Sequence, residues 1–250
     1  MPRNLILAAL GLLFTAQAAA DVFQGRLEWA QRVELATTVD GIVREVLVRP
    51  GDVIPQGQIL VRLDTGEYQA RALAAEAKVT RAQPAFEEAE RELERAQTLY
   101  ERTVLSDHDL QKAQIAFASA RADLDEALAE RMEAEVHLER TGVAAPFDAI
   151  VLAVSAVPGQ VVINRLRPHS LVTVADGRNM SIRLAVPADR IGALSVDRNA
   201  YVTVDETTYT GRITEIGLEP SDDETYPVVV EFEFDGAPPR AGSAAWVDFS

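Results

Sequence analysis

The sequence contains no cysteine, and it has only three histidines and three methionines among its 250 residues. The lack of cysteine excludes disulfide scaffolds, thiolate metal sites, cysteine nucleophiles and lipid attachment at an N-terminal cysteine. A site for a soft metal ion would have to be built from almost no suitable ligands. We therefore expect no metal and no cofactor, and ordinary surface positions for His108, His137 and His169.

Positive charge is also scarce in this chain. Lys and Arg number 24 against 39 Asp and Glu, which gives a formal net charge of −15. This balance argues against a nucleic-acid partner, because phosphate binding needs a basic surface. The sequence contains no phosphate-binding loop, nucleophile elbow or zinc-protease motif. The chain is therefore not expected to be an enzyme.

The N-terminus has the pattern of an export signal. Arg3 precedes an apolar run over residues 5–14, and alanines occupy residues 18–20. A charged start, a short apolar stretch and a small-residue cleavage site are typical of a secretory signal peptide. The run is shorter than the ~20 residues that a membrane span requires. We predict a signal peptide over residues 1–20, cleaved before Asp21, with an uncleaved anchor as the alternative.

Glycine is absent between Gly66 and Gly142, where the strong helix formers Ala, Glu, Arg and Leu dominate. The apolar positions in this stretch alternate in steps of four and three, which is the heptad pattern of helices that pack along one seam. The first seam is Tyr68, Ala72, Ala75, Val79, Ala82, Phe86, Ala89, Leu93, Ala96 and Tyr100, and the second is Leu110, Ala113, Phe117, Ala120, Leu124, Ala127, Arg131, Ala134 and Leu138.

A short break at residues 104–107 separates the two seams. Ser106 followed by Asp109 is typical of a helix N-cap, so the second helix is predicted to begin there. Two long helices joined by so short a connection must run antiparallel. We predict a projecting α-helical hairpin over residues 66–141. A globular bundle is the alternative, but it would need a second apolar face, and the remaining faces carry Glu, Arg and Gln.

The segments 40–53 and 148–161 share one pattern on either side of the predicted helices. Asp, Ile, Val, Val, Pro, Gly and Val recur at a constant offset of 108 residues. Alternation rich in valine and isoleucine that ends in Pro-Gly predicts a strand followed by a turn. A half of about 30 residues cannot bury a core alone. The two halves are therefore expected to pack on each other, with the helices inserted between them.

This arrangement resembles the biotinyl/lipoyl-type domain and, with the insertion, the membrane fusion proteins (HlyD/AcrA-like), which are periplasmic adaptor subunits of tripartite efflux pumps. The resemblance is carried by residues 36–43 (ATTVDGIV), 48–53 (VRPGDV), 57–64 (GQILVRLD) and 143–151 (VAAPFDAIV). Ala149 stands where the family usually has glycine. The resemblance implies a multi-module α+β fold.

The lipoyl-like β domain is then assigned to residues 36–65 and 142–175, interrupted by the antiparallel α-helical coiled-coil hairpin at 66–141. Its structural turns are assigned to Gly41, Pro50, Gly51, Gly57, Pro146, Pro158 and Gly159.

The last third of the chain resembles the small β-barrel domain of these adaptors. Alternating strands are predicted at residues 180–186, 200–204, 209–216, 228–234 and 244–249, with a short helix at 187–194. Residues 22–35 are expected to add the opening strand. The barrel is therefore assigned to residues 21–35 and 176–250, and we identify no segment for the membrane-proximal domain that many relatives carry.

A biotin or lipoate carrier is the alternative from a different functional class. Carrier domains bear an attachable lysine in the hairpin that corresponds to residues 64–67 of this chain. Glu67 cannot accept either group, and the nearest lysine, Lys78, lies inside the first predicted helix. The carrier alternative is therefore disfavoured.

The resemblance also implies a contact site at the tip of the hairpin. Adaptors of this family contact the outer-membrane channel through an Arg-x3-Leu-x6-Ser pattern, which Arg95, Leu99 and Ser106 match. The alternative is that Ser106 is only an N-cap and Leu99 an ordinary surface residue. Because the seam is predicted to pass through Ala96 and Tyr100, Leu99 is expected on the exposed side of the helix.

The function that the resemblance implies is that of a periplasmic adaptor, which links an inner-membrane transporter to an outer-membrane channel and supports export of small molecules. The expected partners are the transporter, the channel and further copies of the chain, in a hexameric ring or a trimer of dimers. An RND-type transporter is favoured over an ABC-type exporter, whose adaptors commonly keep an N-terminal anchor. The expected location is the periplasm, beside the inner membrane. A coiled-coil structural protein would explain the helices but not the half-repeats.

Overall fold

The computed structural model describes residues 22–163, 169–221 and 223–249, so the predicted signal peptide lies outside the described residues. The chain divides into two compact units, one made of Met1–Ala30 with Arg178–Ser250 and the other of Gln31–Gly177. In chain order the elements are β1 (Val22–Trp29), β2 (Arg32–Leu35), β3 (Gly41–Val46), β4 (Val53–Ile54), β5 (Ile59–Leu63), α1 (Gly66–Glu101), α2 (Asp107–Glu139), β6 (Gly142–Ala144), β7 (Ala149–Val154), β8 (Val161–Val162), β9 (Val172–Asp176), β10 (Asn179–Pro187), α3 (Ala188–Ile191), β11 (Asn199–Val204), β12 (Thr207–Ile216), β13 (Thr225–Glu233) and β14 (Ala244–Asp248).

The first unit is a closed barrel of six antiparallel strands in the order β1-β10-β13-β12-β11-β14. Every second residue of each strand points inward, because side chains alternate between the two faces of a sheet. Leu27, Ile182, Val202 and Val247 are among the inward residues with no exposed surface. The small β-barrel that the resemblance implied is thus confirmed. The helix α3 spans four residues and is shorter than the predicted 187–194.

The second unit contains a β-sandwich of two four-stranded sheets, ordered β2-β9-β7-β4 and β6-β5-β3-β8. Both sheets contribute to one core, in which Val43, Leu60, Val151 and Val174 are almost fully buried. Residues from before and after the two long helices share this core, as the half-repeats require. Neither half could bury these side chains without the other.

The first strand segment of the sandwich corrects the predicted domain boundary. Residues 31–35 were assigned to the barrel, but β2 pairs antiparallel with β9 in the sandwich, with Arg32 opposite Ala175 and Leu35 opposite Val172. The units divide after Ala30. Residues 26–35 contain no proline or glycine that would mark a break, so the alternating pattern of residues 22–35 predicts a single strand.

The half-repeats adopt equivalent structures, 108 residues apart. The N–H of Val43 donates to the Gln160 carbonyl at 2.8 Å, and the N–H of Val151 donates to the Asp52 carbonyl at 2.9 Å. The β3–β8 and β4–β7 pairs are likewise equivalent in register. The sandwich therefore has an approximate internal two-fold symmetry, which the sequence repeat predicted.

The long helices α1 and α2 follow β5 and precede β6, and they pack against each other. Val79, Leu124 and Ala127 form a small buried cluster between them, and the rings of Phe86 and Phe117 lie 5.5 Å apart. Lys78 contacts Glu130, and the later residue Phe86 contacts the earlier residue Phe117, so the helices run antiparallel. No helix among the described residues has both the length and the apolar character that a membrane crossing requires.

Ion pairs flank the contact between the two helices. Lys78 pairs with Glu130, and Arg131 lies 3.4 Å from Glu76 and 3.6 Å from Glu135. Arg131 occupies a seam position, and these two carboxylates compensate its charge there. Because these groups are partly exposed, each pair is expected to contribute at most about 1 kcal/mol.

Candidate functional site

The loop between α1 and α2 is the candidate contact site. Helix α1 ends at Glu101 and α2 begins at Asp107, so five residues make the turn. The N–H of Thr103 donates to the Tyr100 carbonyl at 2.8 Å, and the N–H of Val104 donates to the Leu99 carbonyl at 3.0 Å. With Arg102 as the C-cap, this is the Schellman pattern that closes many helices.

Thr103 is the residue that the Schellman pattern places in the left-handed region, with φ of 62°. Glycine usually occupies this position, because a Cβ atom is strained at positive φ. A β-branched residue there is uncommon. The sequence predicts the break between the helices, but no glycine marks the position of positive φ, since residues 67–141 contain none.

Ser106 caps the second helix, as predicted. The N–H of Asp109 donates to Ser106 Oγ at 3.2 Å, and Ser106 Oγ donates in turn to Asp109 Oδ2 at 2.6 Å. Ser106 has extended backbone dihedrals, which is the geometry of an N-cap residue. The side chain is exposed, so it remains accessible from outside the turn.

Leu99 does not lie on the exposed side of α1, and that prediction is wrong. Leu99 is half-buried, whereas Tyr100, the predicted seam residue, is 42% exposed. The Schellman pattern brings Val104 back over the last turn, on the side where Leu99 lies. Tyr100 instead hydrogen-bonds to the Asp107 carboxylate, which raises the pKa of the tyrosine.

Arg95 is exposed one turn before Leu99 on the same face of α1. Its guanidinium pairs with Glu92 at 2.5 Å, an i,i+3 contact on the helix surface. Arg91 makes the corresponding pair with Glu88 at 2.6 Å, one turn earlier. Such exposed pairs are weak, so Arg95 can exchange Glu92 for a partner's carbonyl or carboxylate.

The base of the helices is tied to the sandwich by three hydrogen bonds. The Tyr68 hydroxyl donates to the Asp40 carbonyl at 2.6 Å, Thr37 Oγ1 donates to the Arg140 carbonyl at 3.1 Å, and the Leu63 N–H donates to the Thr141 carbonyl at 2.9 Å. Burial is the main cause that raises the pKa of Tyr68. These contacts, which the sequence analysis missed, fix where the helices leave the sandwich.

The predicted structural turns lie at the ends of the sandwich strands. Gly51 and Gly159 have φ of 95° and 88° and follow Pro50 and Pro158, which is the arrangement of a type II turn. Gly57 also has a positive φ, of 82°, and no atom lies within 4 Å of a Cβ built on any of these three glycines.

The other two predicted turn residues act through contacts rather than through positive φ. The carbonyl of Pro146 accepts from Gln56 Nε2 at 3.0 Å, and the nearby Asp148 carboxylate accepts from the Gln56 N–H at 2.9 Å. A Cβ at Gly41 would lie 3.2 Å from Leu63 Cδ1. Gly41 therefore serves close packing at the start of β3.

The position of a carrier lysine is occupied here by the start of α1. Glu67 lies in the first helical turn and pairs with Arg71 at 2.5 Å. Asp64 Oδ1 accepts a hydrogen bond from the Gly66 N–H at 3.0 Å, which is the main cause that lowers the pKa of Asp64. Lys78 lies within α1 and pairs with Glu130.

The three histidines lie apart in sequence, His108 in the first turn of α2, His137 in its last turn and His169 before β9. Among residues 22–163, 169–221 and 223–249, no three His, Asp or Glu side chains are grouped so that they could hold a metal ion.

A known domain family covers the second unit. The family described as CzcB-like, barrel-sandwich hybrid domain matches residues 31–176, more than half of the chain. The chain belongs to this family. The matched range is almost the range of the second compact unit, Gln31–Gly177.

Relatives with similar sequences carry names connected with export or nodulation. The nodulation protein NolF of Rhizobium meliloti is 28% identical over 195 residues, which cover 77% of this chain and 52% of that protein. The macrolide export protein MacA of Yersinia pestis is 26% identical over 194 residues, covering 72% and 52%. The chain thus spans about half the length of the curated relatives it matches.

Solved structures of similar fold include membrane fusion proteins. The membrane fusion protein Spr0693 of Streptococcus pneumoniae superposes with a TM-score of 0.68 at 19% identity, covering 92% of this chain and 98% of that one. A MacA chimera that contains the α-hairpin domain of Pseudomonas aeruginosa MexA gives 0.65 at 21% identity, covering 92% and 80%. The resemblance to membrane fusion proteins is thereby confirmed.

Proposed function

We propose that this protein is a periplasmic adaptor of a tripartite efflux pump, which links an inner-membrane transporter to an outer-membrane channel. The observation that carries the proposal is the insertion of α1 and α2 between two halves of one sandwich, with a closed loop at their far end. We interpret the two helices as the coiled-coil hairpin of such adaptors. The role is one of contact, not of catalysis.

The contact with the channel is assigned to Arg95, Leu99 and Ser106. Arg95 supplies an exposed guanidinium that makes a surface ion pair with Glu92, and Ser106 supplies an exposed hydroxyl. Leu99 is half-buried, and Val104, whose N–H donates to the Leu99 carbonyl, is 71% exposed and presents the apolar surface at the tip. In this assignment Leu99 is not itself the exposed apolar contact residue, because it is half-buried.

The transporter partner is proposed to be of the RND type, with an ABC-type exporter as the alternative. The preference rests on the short N-terminal apolar run in the sequence. Purification of the chain from membranes, followed by identification of the transporter that is recovered with it, distinguishes the RND-type partner from the ABC-type partner. We propose a location in the periplasm and a hexameric or trimer-of-dimers assembly.

Cross-linking from the tip tests the proposed function. The chain has no cysteine, so single-cysteine variants carry a cross-linker at one chosen place. Val104→Cys at the tip is expected to link to an outer-membrane channel in intact cells. Ile115→Cys, 63% exposed on α2, is the control and is expected to link less. Equal linking from both positions, or none from Val104→Cys, would contradict the tip assignment.

A further inference from the structure

Each of the two long helices carries a second apolar row, on the side away from their shared seam. Both rows advance in heptad steps of three and four residues. The outer row of α1 consists of Ala70, Leu73, Ala77, Thr80 and Pro84. The outer row of α2 consists of Ala122, Asp125, Ala129, Met132 and Val136. The prediction that the faces away from the seam carry only Glu, Arg and Gln is therefore wrong for this part of the helices.

The outer rows are exposed to solvent although they contain large apolar side chains. Leu73 is 73% exposed, Met132 59% and Val136 39%. Apolar residues in heptad steps along one side of a helix pack against another helix. A contiguous exposed apolar surface marks an interaction site, whereas scattered single residues do not. Each outer row is therefore a surface on which a further helix can dock.

The two outer rows lie at the same height above the sandwich. Across the seam Lys78 contacts Glu130, and Phe86 contacts Phe117. Counting along the antiparallel helices between these contacts pairs the rows to within about one helical turn. The pairs at equal height include Leu73 with Met132, Ala77 with Ala129, and Thr80 with Asp125. A second copy that stands beside the first without a vertical shift therefore brings its α1 row against the α2 row of the first.

The direction of the rows determines how such neighbouring copies are turned. At about 100° per residue, each outer row lies about 150° around its helix from the seam. Both rows are displaced toward the face that carries Glu76 and Glu135, which both contact Arg131. Each row thus deviates by about 30° from the line through the two helices, and toward the same face. Copies joined row to row are rotated by about 60°, and about six of them close a circle.

The charges beside the outer rows indicate which row meets which. On the face opposite to Glu76 and Glu135, α1 and α2 line two adjoining grooves with charges of opposite sign. The basic residues of α1 there are Arg71, Lys78 and Arg81, and the acidic residues of α2 include Glu126, Glu130 and Glu133. A contact of α2 with α2, or of α1 with α1, would place like charges together, which disfavours it. A contact of α1 with α2 places Arg81 of one copy at the height of Asp125 and Glu126 of the next.

We propose that the outer row of α1 packs against the outer row of α2 of the next copy, and that this head-to-tail contact repeats around a closed ring. A heterologous contact closes a ring only when successive copies are related by rotation without a shift along the axis, as the equal heights of the rows require. The proposal rests on the self-association stated in the proposed function and gives it a surface and a direction. Identical contacts around the ring correspond to the hexamer rather than to the trimer of dimers.

Disulfide formation in intact cells tests the contact. The chain has no cysteine, so a variant with both Leu73→Cys and Met132→Cys carries one thiol in each outer row. Mild oxidation is expected to give a series of covalent oligomers that ends at about six copies. Either substitution alone is expected to give no covalent dimer, because no row meets its own copy. Ala77→Cys with Ala129→Cys is a second pair at equal height and is expected to give the same series.

A pair of cysteines at unequal heights is the matched control. Ile115 is 63% exposed on α2 but lies about 25 Å further from the sandwich than Met132. Leu73→Cys with Ile115→Cys is therefore expected to give no series of oligomers.

Charge reversal tests the direction of the contact. In the double-cysteine variant, Arg81→Glu is expected to reduce the yield of covalent oligomers about tenfold, and the further change Glu126→Arg is expected to restore it. Lys112→Glu makes the same change of charge at an exposed position of α2 nearer the tip and is expected to leave the yield unchanged. Circular dichroism and thermal unfolding verify that each variant is folded.

Absence of covalent oligomers from both pairs at equal height, or an equal yield from the Ile115 control, would overturn the proposal. A covalent dimer from Leu73→Cys or Met132→Cys alone would do so as well, because it would show a contact between identical rows. A series that continues well beyond six copies would contradict the closed ring. Failure of Glu126→Arg to restore the yield would contradict the pairing of Arg81.

Co-purification from the same cells reports on the proposed function separately. If the chain is recovered with a transporter and a channel but forms no covalent oligomers, this contact is wrong and the adaptor role stands. If the oligomers form but neither membrane protein is recovered, the contact stands and the adaptor role is wrong.

Discussion

Gly51 and Gly159 stand at equivalent turns and donate to equivalent partners in the opposite half of the sandwich. The Gly51 N–H donates to the Val151 carbonyl and the Gly159 N–H donates to the Val43 carbonyl, each at 2.8 Å. Both glycines have positive φ. The two halves are therefore held by reciprocal contacts, and each turn stabilises the strand of the other half.

Equal destabilisation by two equivalent substitutions is the first prediction. Gly51→Ala and Gly159→Ala each place a Cβ at positive φ, which is expected to lower the free energy of unfolding by about 1–2 kcal/mol. Gly192→Ala is the control, since Gly192 has a φ of −65° and open space around it. Urea unfolding measures all three. Unequal losses at Gly51 and Gly159 would contradict the symmetric arrangement of the halves.

Thr103 provides the second prediction, a gain in stability. Thr103→Gly relieves the strain of a β-branched residue at positive φ and is expected to raise the free energy of unfolding by about 1 kcal/mol. Thr98→Gly, inside α1, is the control and is expected to lower it by a few tenths to 1 kcal/mol because glycine is a poor helix former. A loss of stability in Thr103→Gly would show that the turn is not closed as described.

Much of the fold could be predicted from the sequence because the repeated patterns have direct geometric meaning. The offset of 108 residues predicted the shared core, and the steps of four and three predicted the half-buried side of α2 from Leu110 to Leu138. The N-cap at Ser106 followed from its spacing to Asp109. In each case a local rule and the tertiary packing require the same arrangement.

The predictions failed where tertiary contacts override a continuous pattern. Residues 22–35 alternate as one strand, yet their partners lie in two different units, β10 and β14 for β1 and β9 for β2. At the end of α1 the heptad pattern continues to Tyr100, but Tyr100 is exposed and Leu99 is half-buried instead. Sequence periodicity predicts neither the change of partner sheet between β1 and β2 nor the burial of Leu99 in place of Tyr100.

The acid dependence of stability gives the third prediction. The folded-state pKa of Asp64 is below its usual value, chiefly because its carboxylate accepts a hydrogen bond from Gly66 and also pairs with Arg44. The unfolded state therefore binds the proton more tightly, so the stabilisation is present above the unfolded pKa near 3.8 and is lost as the pH falls through the lower folded pKa.

Asp64→Asn is expected to reduce the fall in the free energy of unfolding at acid pH, which we call the acid limb. Urea unfolding between pH 2.5 and 6 measures it, and this range extends about two pH units above the usual pKa of an aspartate. Asp235→Asn, in the loop after β13, is the control and should leave the limb unchanged. An acid limb of unchanged slope in Asp64→Asn would contradict the role assigned to this carboxylate.

The fourth prediction compares two neighbouring arginines on α1. Arg95→Glu is expected to abolish efflux of the exported compound, because a carboxylate replaces the proposed partner-binding guanidinium. Arg91→Glu removes the same kind of i,i+3 ion pair one turn earlier and is expected to retain efflux. Dye accumulation in cells reports the difference, and helicity by circular dichroism should match for both. Loss of efflux in both variants would indicate a general charge effect.

Leu99→Asp is a less direct probe than a substitution at Arg95. Leu99 is half-buried, so the aspartate would lower stability as well as change the tip. A loss of function in that variant would not separate the two causes, whereas Arg95 is exposed and its substitution is expected to leave the fold intact.

The central claim is that this chain bridges two membrane proteins, and isolation of the whole assembly tests it most directly. After mild cross-linking in intact cells, the unchanged chain is expected to purify together with an inner-membrane transporter and an outer-membrane channel. Arg95→Glu is expected to keep the transporter and lose the channel. Recovery of the channel with Arg95→Glu at the level of the unchanged chain, or of neither membrane protein with the unchanged chain, would contradict the account.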